Sequence, residues 1–337
     1  MPRLVLYQQT HHVTTNGIEA PISLLPLYQQ NTGVTHVIIS ALHVNGPGEI
    51  TLNDHTPNNT RFDQMWSECR TLQEQGIKIM FLLGGAAPGT YQRLSANESA
   101  AFESFYSPVR ALIEKHGING IDLDVEEPMM QVHVQRLIRR LRQDFGPTFI
   151  ITLAPVYPAM LPRRRAYLGI SRRILNSASM PTPDPVMNSL CRANGVRTRR
   201  NLSGFDYLQL EATLGNEIDW YNVQVYCGWG DPSGPGMYET LVDAGWKSEK
   251  VVLGVVTNPS NGAGWISLPR LTTVVRGLKA KYGEAFGGVM GWEYFNAGMN
   301  EPRGGPWQWV KELGIALGRV EAPVRLPISQ GRPTVPS

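Results

Sequence analysis

Short runs rich in β-branched residues, each followed by a stretch of helical period, recur eight times along this chain, and no other feature narrows its possible folds as much. The strand candidates are Leu4 to Gln8, His36 to Leu42, Ile77 to Gly84, Ile118 to Val125, Phe149 to Ala154, Trp220 to Tyr226, Val251 to Val256 and Gly288 to Glu293. Several are apolar nearly throughout, as parallel strands covered on both faces require. Helical patterns occupy Phe62 to Gln75, Ala100 to Lys115, Arg270 to Tyr282 and Trp307 to Leu317. In a further one, Val134, Leu137, Ile138 and Leu141 form an i, i+3, i+4, i+7 stripe, with Arg136, Arg139 and Arg140 largely on the other side. Such a series closes into a barrel or opens into a doubly wound sheet, and no Gly-x-Gly-x-x-Gly follows the first strand to favour the sheet. The expectation is an α/β fold: a single-domain (β/α)8 barrel over residues 1–323, with a C-terminal tail at 324–337.

One gap breaks the rhythm. About fifty residues separate the fifth strand from the next helix-like stretch at Phe205, where such connections usually take about 2 to 6. The segment 156–200 has no sustained period and is expected to be a looped or disordered insertion. It holds nine arginines against one acidic residue, Asp184, and without it the chain has 22 basic and 27 acidic residues. The overall charge of +3 therefore does not mark a nucleic-acid binder, because the body of the protein is acidic.

No apolar run approaches the ~18 to 20 residues that span a bilayer. The start Met1-Pro2-Arg3 runs straight into the first strand, leaving no room for a secretory signal, so a cytoplasmic location is expected; a monomer is the expected state. Cys69, Cys191 and Cys227 lie far apart, without a CxxC pair or a nearby histidine set. Neither a disulfide framework nor a metal site is suggested, and reduced thiols are the expectation.

The chemistry is concentrated in Gly120-Ile121-Asp122-Leu123-Asp124-Val125-Glu126. Side chains alternate along a strand, so Asp122, Asp124 and Glu126 share one face and Ile121, Leu123 and Val125 the other. Carboxylates spaced at ~6.6 Å inside a barrel cannot all ionise normally. The outermost, Glu126, lies near the C-terminal mouth, where barrel active sites sit, and is expected to be held protonated as an acid. An edge strand with an acidic face does not suit the apolar opposite side, and a Mg or Ca cage would want further oxygen ligands that the sequence does not identify.

This run resembles the DxDxE signature of family 18 glycoside hydrolases, the chitinases and endo-β-N-acetylglucosaminidases. The resemblance implies a TIM barrel with the motif on its fourth strand, where it falls here. It also implies substrate-assisted, retaining chemistry without a cofactor: Glu126 protonates the leaving oxygen, and the substrate's own 2-acetamido carbonyl attacks the anomeric carbon to give an oxazolinium. Asp124 would then orient the acetamido group and Asp122 would help switch it. Tyr226 and Gln224 look like the sixth-strand Gln-x-Tyr element, with Tyr226 bonding the acetamido carbonyl. Trp292 looks like the tryptophan flooring the sugar site, Gly84-Gly85 like the third-strand glycine pair, and Tyr7 like the first-strand aromatic. Leu82 stands where many members have Ser, and Asn119 replaces the Asp that opens many chitinase motifs.

Within the family the likeness is greatest to fungal endo-β-N-acetylglucosaminidases, on Pro2 to Val5, Gly84 to Gly89, Asp122 to Met129, Asn201 to Phe205 and Gly287 to Asn296. The implied partner is an N-acetylglucosamine-containing glycan, cut at the chitobiose core of N-glycans, with an endochitinase as the alternative. A catalytically silent, lectin-like barrel is the alternative of another class; such members commonly lose the acid, and this chain keeps Glu126 with both aspartates.

Overall fold

A computed structural model describes residues 1–162, 201–299 and 304–322. Eight parallel strands close in chain order: β1 (Arg3–Gln8), β4 (His36–Gly46), β6 (Lys78–Gly84), β7 (Gly120–Asp124), β8 (Ile150–Leu153), β9 (Trp220–Gln224), β10 (Val251–Val256) and β11 (Gly288–Trp292), the last pairing with β1. The first strand also pairs with β4, which completes the ring. Each of the eight corresponds to one of the apolar runs picked out in the sequence.

Alternation sorts the side chains. Leu4 and Leu6 of β1, with Ile79, Phe81 and Leu83 of β6, point outward into the shell beneath the helices. Val5, Tyr7, Met80, Leu82, Val252 and Met290 fill the lumen. The shell is closed by α2 (Asp63–Glu74), α4 (Ser99–His116), α5 (Gln131–Phe145) and α8 (Leu268–Tyr282), with α9 (Trp307–Ala316) behind β1. The predicted stripe on α5 is its buried face, with Val134, Leu137, Ile138 and Leu141 all at 0% exposure. Shorter helices are α1 (Pro26–Gln29), α3 (Thr90–Leu94), α6 (Tyr207–Leu214) and α7 (Gly236–Asp243).

Two additions to the barrel have no counterpart in the sequence reading. A hairpin of β2 (His12–Thr15) and β3 (Ile18–Pro21) follows the first strand, and β5 (Glu49–Leu52) runs antiparallel along β4. All three strands have four residues, too few to display a period.

The insertion begins later than expected. Val156 bridges to Gln224, and Tyr157–Met160 form a 3-10 turn in which Tyr157, Pro158 and Met160 are buried. Met160 also accepts the Trp246 indole N–H at 2.7 Å. Residues 156–162 thus belong to the barrel, where apolar side chains gain by leaving water. The remaining stretch 163–200, with Cys191, and the tail 324–337 lie outside the described residues. Among the described residues no helix is long and apolar enough to cross a membrane.

Candidate active site

The fourth barrel strand, β7, carries Asp122 and Asp124 into the lumen and delivers Glu126 just beyond its end. Asp122 has no exposed surface and accepts three hydrogen bonds: from the Tyr7 hydroxyl at 2.7 Å, the Thr152 hydroxyl at 2.5 Å and the Asn222 amide at 3.0 Å. Tyr7 and Asn222 stand on strands that do not border β7, so these bonds can form only across the lumen. Burial raises the Asp122 carboxyl above its ordinary range, and the three donors oppose that rise. The Tyr7 hydroxyl is itself held well above its usual value by burial and by Asp122, which suits a donor.

Asp124 and Glu126 form a second unit. The Gln224 amide nitrogen donates to Asp124 Oδ1 at 3.2 Å and Glu126 Oε1 at 3.4 Å, while also meeting the Ala154 carbonyl at 2.9 Å. An amide has two protons for these three acceptors, so each carboxylate is only partly compensated. Burial first, then the charges of Glu126 and Asp122, push Asp124 well above the usual carboxylate range. Glu126 is raised too, chiefly by burial, although its side chain keeps some exposure at the mouth. The ladder of β7 stops at Asp124, so Glu126 is held by the loop beyond it rather than by strand pairing.

The glycines Gly84 and Gly85 adopt φ of +92° and +90°. A side chain on Gly84 would strike the Tyr91 ring and lie 2.7 Å from the Asp124 carbonyl, and that carbonyl accepts from Gly85 N at 2.9 Å. The glycine pair therefore lets β6 pass against the backbone that carries Asp124. Leu82 pairs in register with Asp122 and packs in the lumen. Asn119 lies below the site, where its side-chain Oδ1 accepts from Ile79 N at 2.9 Å.

At the rim, Tyr226 is buried, with its hydroxyl raised by burial and by Asp124. Trp292 is partly exposed, and its ring centroid lies 5.4 Å from that of Tyr7. The Trp292 carbonyl accepts from Thr257 N at 2.9 Å and Asn261 Nδ2 at 3.1 Å. Next to it, Glu293 accepts from Gln9 N, Thr10 N and the Thr10 hydroxyl, tying the chain after β1 to the end of β11.

All nine residues singled out in the sequence converge on the C-terminal end of the barrel or its lumen. Thr152, Asn222 and Glu293 were missed. Asn222 had a readable signal: in Tyr221-Asn222-Val223-Gln224, two polar residues at period two interrupt a buried strand and so face the same lumen. Thr152 interrupts Ile151 and Leu153 in the same way. Among the described residues no group of His, Cys, Asp and Glu side chains is placed to hold a metal ion. A surface depression of about 420 Å³ near Lys311 and Arg319 is remote from the carboxylates: Arg319 bonds the carbonyls of Pro2 and Gly33, at the opposite end of the barrel.

Residues 3–163 match the family model for glycosyl hydrolases family 18. The chain is similar to the solved structure of a fungal endo-beta-N-acetylglucosaminidase from glycosyl hydrolase family 18, with 39% identity and a TM-score of 0.77 over 94% of this chain and 98% of the other. It is also similar to chitinase ChiC from Aspergillus fumigatus, with 40% identity and a TM-score of 0.74 over 94% of this chain and 100% of the other. Chitinase 2 of Rhizopus oligosporus is 25% identical over 295 residues, which are 82% of this chain and 46% of that protein. The chain spans about half or less of the length of the curated relatives it matches.

Proposed function

The chain belongs to the glycosyl hydrolases of family 18, and on that premise we propose that it cleaves β-linkages next to N-acetylglucosamine with retention of configuration, Glu126 being the proton donor. The observation that carries this reading is the Gln224 amide shared by Asp124 and Glu126. It places a carboxyl raised by burial within reach of a second carboxylate at the C-terminal mouth of the barrel. Perturbed carboxyls in such a cleft suit general acid and base work at ordinary pH.

In the proposed sequence Trp292 floors the sugar, and the Tyr226 hydroxyl donates to the acetamido carbonyl. Asp124 accepts from the acetamido N–H as the carbonyl oxygen attacks the anomeric carbon. Glu126 gives its proton to the departing glycosidic oxygen, which leaves as an alcohol. Water then opens the oxazolinium, with the Glu126 carboxylate taking its proton back, and two inversions give net retention. Asp122, held by its three donors, fixes the base of the carboxyl stack beneath Asp124.

We assign the substrate as the chitobiose core of N-glycans, supported by the likeness to the fungal endo-beta-N-acetylglucosaminidase over almost its whole length. An endochitinase is the second reading, favoured by the equal likeness to chitinase ChiC. The deciding experiment offers a high-mannose glycopeptide and a chitin oligomer side by side and reads released sugars by mass spectrometry, with Glu126→Gln as the control. Release from the glycopeptide that disappears in Glu126→Gln is the expected result. Unchanged turnover in that variant would end the mechanistic reading, and release from chitin alone would move the assignment to the second reading.

A further inference from the structure

Glu127 has no part in the chemistry proposed above, yet its carboxylate is bound twice. Oε2 accepts from Gly89 N at 2.8 Å and Oε1 from Tyr91 N at 2.7 Å. Both donors lie at the end of the loop that leaves β6 through Gly84 and Gly85. Successive side chains of an extended segment point to opposite sides, so Glu126 turns in to Gln224 while Glu127 turns out to that loop. The loop is tied back to the site. The Tyr91 hydroxyl donates to Leu83 O at 2.6 Å, and Gly85 N donates to Asp124 O at 2.9 Å. Further along the same segment, Met129 N donates to Ser203 O at 2.8 Å. Glu126 thus sits between Asp124, whose carbonyl is held by Gly85 N, and Glu127, held by Gly89 and Tyr91, on a segment past the end of β7 that has no strand partner of its own.

We infer that Glu127 is a positioning residue whose paired bonds to Gly89 and Tyr91 hold the Glu126 carboxyl at the separation from Asp124 that one Gln224 amide can span. The inference rests on the reading of Glu126 as the acid. A carboxylate suits the task because its two oxygens meet two adjacent N–H donors, and bonds to an ionised acceptor are about twice as strong as neutral ones. An amide at this position would keep one acceptor oxygen and set its NH2 against the second N–H.

Glu127→Ala and Glu127→Gln should separate this role from simple support of the short helix α3. Misplacement of a reacting group by about 1 Å costs on the order of 10²-fold. Glu127→Ala is therefore expected to lose roughly 10- to 100-fold in kcat with KM changed less than about twofold, and Glu127→Gln to lose less, since it keeps one bond. Independently of turnover, ¹³C-carboxyl NMR assigned with Glu126→Gln should show the Glu126 titration moving down toward the ordinary carboxylate range as its carboxyl loosens into water. If Glu127→Ala does not fold, Glu127→Gln supplies both measurements. A lowered melting temperature with kcat and the Glu126 titration as in the parent protein would overturn the inference. Absence of all turnover in the parent would defeat the functional reading instead, and the titration would still decide the role of Glu127.

Discussion

Replacing Tyr7 by Phe removes one oxygen atom from the barrel lumen and leaves the ring against Trp292 in place. The lost bond is the 2.7 Å donation to Asp122, a carboxylate with no exposed surface. Water has no route to replace the donor, and a hydrogen bond to a charged group is worth about 1.5–3 kcal/mol. At about 2–4 °C per kcal/mol for a domain of this class, the melting temperature should fall by about 3–12 °C. Thermal and denaturant unfolding of Tyr7→Phe, Asp122→Asn and the double variant complete a cycle that isolates the pair. A coupling of about 1 kcal/mol or more is expected for residues in direct contact. Additivity within about 0.5 kcal/mol, with Tyr7→Phe as stable as the parent, would refute the picture of Asp122 as a buried carboxyl held by three donors.

The pH dependence of stability has a definite sign. Asp124 and Glu126 are raised in the folded state, so folded protein binds more protons than unfolded protein above their ordinary values of 3.8 and 4.5. Stability is full below those values and declines as pH rises through the folded titration. Glu126→Gln removes one ionisable carboxyl, so it should melt above the parent at neutral pH and with it in acid; a constant difference across a calorimetric pH series would contradict this. A deletion is also informative. Removing 163–200 should leave turnover within about twofold, whereas a cut starting at Tyr157 should destabilise the barrel, because burying large apolar side chains contributes about 1.5–3 kcal/mol each. Equal behaviour of the two deletions in activity and melting assays would show that the turn at 157–160 is dispensable.

The eight strands and the main helices were legible because period-two and period-3.6 patterns are written locally, and burial on both faces leaves long apolar runs such as Val251–Val256. The common facing of Asp122, Asp124 and Glu126 followed from the same alternation. The small hairpin β2–β3 was not legible, since all of Ile18–Pro21 is exposed and carries no pattern. The start of the insertion was misplaced for the opposite reason: Tyr157-Pro158-Ala159-Met160 has the composition of a loop, and only its neighbours bury it. Nothing in the sequence singled out Glu127, because the backbone donors it meets belong to a loop almost forty residues away, with separations of 38 and 36.

Local alternation is a property of the covalent chain, and so the amino-acid order alone determined which residues would share the inner face of each strand. It could not specify what those residues would meet there. Asp122 finds its donors at separations of 115, 30 and 100 residues, and Gln224 reaches Asp124 and Glu126 across 100 and 98. Those meetings exist because closing the barrel brings non-neighbouring strands across one narrow lumen. Only that closure decided which carboxyl meets three donors and which two share a single amide, with burial raising all three above their ordinary range.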